Sequence, residues 1–320
     1  MSKPTTMQTR DTKAPTRETR RPAGLFASGF ALFTAVLWGG NNVSIKIALE
    51  RGSPLQIGWI RFVLGAVATI AYMAVRRESF TVSRHEVWPL VAVGLMFSVQ
   101  LVFMNIGQDL TTAGHGVALH STMPIWAATI SMLFIPSDRL TRWRVLAMAL
   151  SYVGVLAVVF GDTGANEAGT TVLGDVLSLI SAILLGARTV MISIYAQHVS
   201  EAKLMLGQLV IGTVLLLAGS YVFETPTYTT DGSFWFALAY QGFVIAGFGF
   251  LATAWLLKHY LPSTVTFYFF VQPVAGVTLA WLILGEDPGR GLIAGVALVC
   301  VGALLHSGES FLKARRVAQG

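Results

Sequence analysis

Few residues of this chain could do chemistry inside an apolar environment, and those few fall into clusters. In "WGGNNVSIK", Trp38 to Lys46, two adjacent asparagines interrupt a run of hydrocarbon side chains. At about 100° per residue, Trp38, Asn41, Asn42 and Ile45 share one arc of a helix, with Lys46 at its margin. A buried amide is costly unless hydrogen-bonded, so this face is expected to turn toward neighbouring helices or a polar ligand. Arg188 lies in a second such run. A guanidinium at that depth needs an anion, water or carbonyl oxygens. It therefore either binds a substrate carboxylate or caps carbonyls structurally. The third cluster is His120 with Pro124, Phe269 and Pro273. A proline inside a helix leaves the carbonyl four residues earlier without its partner, here at His120 and Phe269. Those carbonyls could receive an ammonium group, or the prolines could serve only as kinks. Gln241, Tyr268, Gln272 and Trp126 are further candidates to line a substrate site.

Other chemistries find little support. No Asp or Glu lies deep in an apolar run, and Asp175 is one turn from the end of its own. His120 is thus the candidate for proton coupling, since imidazole changes charge near neutral pH. A substrate exchanger or facilitator without a proton step is the alternative. His115 and His120, five residues apart, point about 140° away from each other on a straight helix and cannot readily share a metal. The lone Cys300 excludes an internal disulfide and a cysteine zinc cluster. No paired carboxylates, metal cluster or nucleophile beside a base is visible, which argues against a membrane-embedded enzyme. No GxxxxGK[ST] phosphate loop occurs, which argues against an ATP-driven pump. No cofactor is expected.

The elements that must position these residues are long and apolar. Ten runs, 25–48, 54–75, 87–107, 112–135, 142–160, 172–195, 202–222, 233–256, 263–284 and 290–308, are each long enough to cross about 30 Å of hydrocarbon. Hydrophobic residues make up 54% of the 320 and charged residues 12%, which excludes an ordinary soluble globule. The reading is an all-α polytopic membrane protein in the plasma (inner) membrane. The net charge of +6 gathers in the tails and alternate loops, Arg139, Arg142 and Arg144 among them. That is a positive-inside bias placing both termini in the cytoplasm, and it is no nucleic-acid signature. Residues 1–24 read as a disordered basic cytoplasmic tail, 161–171 as an external linker and 309–320 as a second basic tail. Lys46 and Arg61 are expected near the outer ends of spans one and two, where they form a basic vestibule or, for Lys46, snorkel to the headgroups. Gly291 and Gly295 form a GxxxG that suits close helix packing or a homodimer face.

Residues 35–65 align without a gap on the stretch 147 positions later, pairing Gly39 with Gly186, Gly65 with Gly212, and Asn41 and Asn42 with Arg188 and Thr189. A shift of 149 pairs Pro124 with Pro273. Five spans per copy is an odd number, so ten transmembrane helices would form two inverted five-helix repeats, a recurring plan of secondary transporters. "LWGGNNVSIKIAL", "RFVLGA", Pro124 and "VQPVAGVTLAWLILGED", in this order, resemble the EamA-type branch of the drug/metabolite transporter superfamily. The resemblance covers about 25–308, with one repeat at 25–160 and the other at 172–308. It implies a secondary transporter that exports amino acids or related small metabolites by alternating access. Where the pattern has Gly-Glu, the first copy has Pro136 to Asp138, "PSD", taken as a helix-end feature, while Gly285-Glu286 keeps it in the second.

Overall fold

The computed structural model describes residues 23–110, 119–160, 172–225, 231–284 and parts of 294–305. The basic tails, the 161–171 linker, His115, Glu286 and Gly291 lie outside the described residues, as do the side chains of Asn42 and Lys46. The described chain is helical throughout its long elements: α1 Leu25–Leu49, α2 Pro54–Val75, α3 Arg84–Asp109, α4 Met123–Phe134, α5 Arg142–Phe160, α6 Val172–Tyr195 and α7 Glu201–Phe223. Then come α8 Gly232–His259, α9 Pro262–Phe267 and α10 Val271–Leu284. Among the described residues five helices, α2, the Arg84–Met104 part of α3, α6, α7 and α8, are long and apolar enough to cross a membrane. Their outward faces carry Val67, Ile70, Val214 and Phe236 exposed. Such a girdle would be an aggregation surface in water and is an ordinary one in lipid. The protein is a multi-pass membrane protein.

Local chemistry sets the helix ends. Pro54 opens α2 at the position where a missing N–H costs nothing. The Glu86 carboxylate reaches back to both the N–H and the hydroxyl of Ser83, at 2.8 Å each, and so caps α3. Asp231 caps α8 by accepting the Phe234 N–H at 2.8 Å. Helix α2 ends with Arg77 at φ 54° and the Glu78 N–H on the Met73 carbonyl, a Schellman closure made without glycine.

Packing brings distant helices together. Helix α1 lies on α10, α2 on α7 and α8, α3 on α6 and α7, and α4 on α6. Small residues set the close approaches, as expected where hydrocarbon solvent gives helices no hydrophobic drive to associate. A Cβ on Gly39 would meet the Gln272 carbonyl at 2.8 Å and Ala275, while one on Gly186 would meet the Ala127 nitrogen at 2.8 Å and Trp126. The core between them is built from Phe62, Phe97, Leu101, Leu209 and Phe250.

Two of the apolar runs are broken. Leu119 and His120 are helical, Ser121 and Thr122 form a turn, and α4 restarts at Met123 with Pro124 in its first turn. Residues Tyr268–Phe270 form a 3₁₀ turn between α9 and α10, and Pro273 falls in the first turn of α10. The kinks expected at Pro124 and Pro273 are therefore helix restarts. The first-turn N–H that proline lacks has no intrahelical partner in any case. The Phe269 carbonyl, expected to be free, is approached by the Val271 N–H.

Candidate functional site

Arg188 projects from α6 and is buried, with 7% of its surface exposed. Its Nη1 donates to Gln208 Oε1 on α7 at 2.6 Å. The guanidinium carbon lies 4.7 Å from the ring centre of Phe97 and 5.9 Å from that of Phe250, so aromatic faces supply part of the stabilisation that water would give. Its Nε has no partner. Every ion pair found among the described residues involves other cations: Arg51, Arg144, Lys203 and Lys258. Arg188 is thus a buried cation met by one neutral amide and two rings.

The expected residues of α1 reach the same aromatic run. Trp38 stacks at 5.3 Å on Phe250 and leaves its Nε1 buried without a partner. Asn41 is 7% exposed, and its Oδ1 likewise has none. One turn later the Ser44 carbonyl accepts from Gln241 Nε2 at 3.0 Å. Gln241 is wholly buried at the start of a π-helical stretch of α8, Tyr240–Gly249. Such widened turns often occur at functional sites. Its Oε1 faces Arg61 Nη1 across a long 3.5 Å contact. Arg61, expected in an outer vestibule, is half-buried, with its Nε buried without a partner and its guanidinium carbon 5.0 Å from the Phe62 ring.

His120 sits at the end of its helical segment with Nε2 buried and unpartnered, and the guanidinium of Arg188 is the charge that acts on it. Thr122, in the break, takes up the Leu119 carbonyl through Oγ1 at 2.6 Å and accepts the Trp126 Nε1–H at 3.0 Å. Trp126 is therefore engaged locally. The Tyr268 hydroxyl donates to Ser28 Oγ at 2.7 Å, near the start of α1 and about 20 Å of helix from Asn41, so its polar end is committed elsewhere. Gln272 is half-buried, and its backbone carbonyl faces Gly39. The structure thus links Trp38, through Phe250, and His120 to Arg188, joins Gln241 to Arg61 and to the Ser44 carbonyl, leaves Asn41 buried on α1 with an unpartnered Oδ1, and commits the Tyr268 hydroxyl elsewhere.

Sequence reasoning missed the roles of five residues. Gln208 was legible, because the 147-residue offset that pairs Asn41 with Arg188 also pairs Arg61 with Gln208. Phe97 and Phe250 carried no signal, since an aromatic in an apolar run reads as packing. Arg144 was read as a loop charge and Asp138 as a helix-end feature. Both are buried, with side-chain exposures of 8% and 0%, and they pair at 3.2 Å. Asp138 also accepts from Ser131 Oγ at 2.7 Å, from the Ser263 N–H at 3.0 Å and from the Ser263 hydroxyl. Arg144 donates to Ser263 Oγ at 2.9 Å and Thr264 Oγ1 at 3.4 Å. This network ties the α4–α5 corner to the start of α9.

Comparison with known proteins adds a family. The EamA-like transporter family matches the chain twice, at residues 25–160 and 172–308. The "Uncharacterized transporter YoaV" of Bacillus subtilis is 22% identical over 274 residues, spanning 85% of this chain and 93% of that protein. The "Uncharacterized inner membrane transporter YedA" of Escherichia coli K12 is 24% identical, over 88% of this chain and 92% of its own. A "Probable amino-acid metabolite efflux pump" of Salmonella typhimurium is 26% identical, over 86% and 93%. One solved crystal structure shares the fold with a TM-score of 0.77 at 18% identity, covering 88% of this chain and 98% of that one.

Proposed function

The chain belongs to the EamA-like transporter family, and on that premise we propose that this membrane transporter is a secondary carrier exporting amino acids or related small metabolites by alternating access. The observation that carries the reading is Arg188, a buried guanidinium that has the Gln208 amide and two ring faces but no carboxylate opposite it among the described residues. A carboxylate on the substrate supplies the missing countercharge through charge-assisted hydrogen bonds. Trp38, Asn41, Gln241 and His120 complete the site, and the unpartnered Trp38 Nε1, Asn41 Oδ1 and His120 Nε2 receive the rest of the molecule.

The carrier consists of two inverted five-helix repeats with both termini in the cytoplasm. Support comes from equivalent contacts in the two copies. Gly39 meets Ala275 and Gly276, and its counterpart Gly186 meets Trp126 and Ala127. The 149-residue offset converts the second pair into the first. Gly65 meets Ala246, and its counterpart Gly212 meets Phe97, which the same offset maps onto Ala246. Interrupted helices at matching positions, before Pro124 and before Pro273, fit a substrate site near the membrane midplane. The relative named as an amino-acid metabolite efflux pump favours export of such compounds.

Reconstituted vesicles test this reading. Saturable, counterflow-capable flux of an amino acid or small organic acid, independent of ATP, is the expected result. Channel-like flux without counterflow would refute it. Proton movement on adding substrate, lost in His120→Gln, would assign the coupling to His120; its absence would favour an exchanger or facilitator.

A further inference from the structure

Arg188 is one of two such cations. Arg61 is the other: its Nε is buried without a partner, and among the described residues its one polar contact is the amide oxygen of Gln241 at 3.5 Å and it pairs with no carboxylate. The two guanidinium groups flank one aromatic pair. Arg61 lies 5.0 Å from Phe62, the Phe62 and Phe97 ring centres are 5.0 Å apart, and Arg188 lies 4.7 Å from Phe97. The 147-residue offset relates the two sites in exchanged order. The first copy has Asn41 on its first helix and Arg61 on its second, and the second copy has Arg188 on its first and Gln208 on its second. Each copy thus presents one guanidinium and one amide. Arg188 is buried and Arg61 half-buried with its Nε buried, neither has a counter-ion among the described residues, and a molecule with one carboxylate can neutralise only one of them. The ammonium group of a neutral amino acid would face the second guanidinium as a like charge. We propose that the substrate is a small elongated dianion, one oxyanionic group on Arg188 and a second, carboxylate or phosphate in type, on Arg61, with an apolar middle crossing Phe62 and Phe97. The proposal rests on the reading of Arg188 as a substrate anchor and narrows it to acidic cargo.

Thermal stabilisation of the purified full-length protein in detergent tests it. The probes are α,ω-dicarboxylates from malonate to pimelate, monocarboxylates of matching chain length, and ω-phosphonocarboxylates, all at constant ionic strength. At one chain length the dicarboxylate should half-saturate at about a tenfold lower concentration than its monocarboxylate, the scale of one further charge-assisted contact. Arg61→Gln should erase that advantage and leave monocarboxylate binding in place, Arg61→Lys should keep part of it, and Arg188→Gln should abolish both. A tighter phosphonate assigns a phosphate-type second group, and a weaker one assigns a carboxylate. No shift with any dianion, equal affinity for mono- and dicarboxylates at every length, or an advantage that survives Arg61→Gln overturns the proposal. If monocarboxylate binding still disappears with Arg188→Gln, the dianion proposal has failed and the Arg188 anchor has not. If Arg188→Gln leaves monocarboxylate binding unchanged, the anchor itself has failed.

Discussion

Arg144 and Arg188 are both buried, yet their surroundings differ in kind. Arg144 has its counter-ion, Asp138, beside it, and two hydroxyls on α9 share the guanidinium. Both leave Nε without a partner, so the difference is the countercharge: Arg188 has an amide and two ring faces and no carboxylate among the described residues. A buried charge that serves the fold brings its countercharge with it, because desolvation would otherwise outweigh anything the charge contributes. A buried charge with no counter-ion among the described residues is the one proposed above to meet a substrate. The same contrast separates residues meant to stay together from residues meant to meet a third molecule.

The largest expected effect breaks the first of these regions. Asp138→Ala strands Arg144 as an uncompensated buried cation and should cost about 3–5 kcal/mol, read as a lower unfolding temperature in detergent. Arg144→Met combined with Asp138→Leu should recover most of that loss. A much smaller loss is expected at the second region. Arg188→Met removes a charge that has no counter-ion among the described residues but leaves the buried Gln208 Oε1 without its donor, so stability should fall far less than in Asp138→Ala while ligand-induced stabilisation disappears. A loss comparable to that of Asp138→Ala would mean that Arg188 is structural too, and the contrast would fail.

A smaller effect probes whether the two halves are built alike. Gly39→Val and Gly186→Val each press a side chain into a facing helix backbone and should cost about 1–3 kcal/mol apiece, by similar amounts. A large loss at one glycine and none at the other would separate the halves.

The smallest effect belongs to the exposed end of the bundle. The Asp231 carboxyl is held below its ordinary value, first by the Phe234 N–H and then by Arg51, whose Nε lies 2.7 Å away. A depressed carboxyl stabilises the fold at pH above its ordinary range, and that contribution fades as pH falls through the depressed value. Asp231→Ala should therefore flatten acid sensitivity slightly, in a salt-dependent way, because the pair is open to solvent. Its failure to matter would leave the contrast between Arg144 and Arg188 untouched.

Much of the fold was legible because hydrocarbon solvent demands long apolar helices, and such runs announce themselves. The duplication was legible for a similar reason: "AVLWGGNN" and "AILLGART" keep their small residues where helices touch. Burial of Asn41 and Arg188 followed from the cost of polar groups in lipid. Their partners did not follow, because Gln208, Phe97 and Phe250 come from other helices and look like packing along the chain. The breaks before Pro124 and Pro273 escaped for another reason. Proline interrupts a helix interior but is welcome in a first turn, and the sequence does not say which of the two it occupies. Arg144 and Asp138 were misjudged because six residues of separation near a helix end resemble a solvated corner. Only the hydroxyls of α9, more than a hundred residues away, make that corner an interior.

The central claim is that substrate supplies the countercharge that Arg188 lacks. Its most direct test compares the unfolding temperature of the wild type and of Arg188→Gln against amino acids, nucleosides and small organic acids at constant ionic strength. The expected result is that stabilising compounds all carry an anionic group and that Arg188→Gln loses their effect while remaining folded. Stabilisation by uncharged compounds alone, or an anion effect that persists in Arg188→Gln, would contradict it.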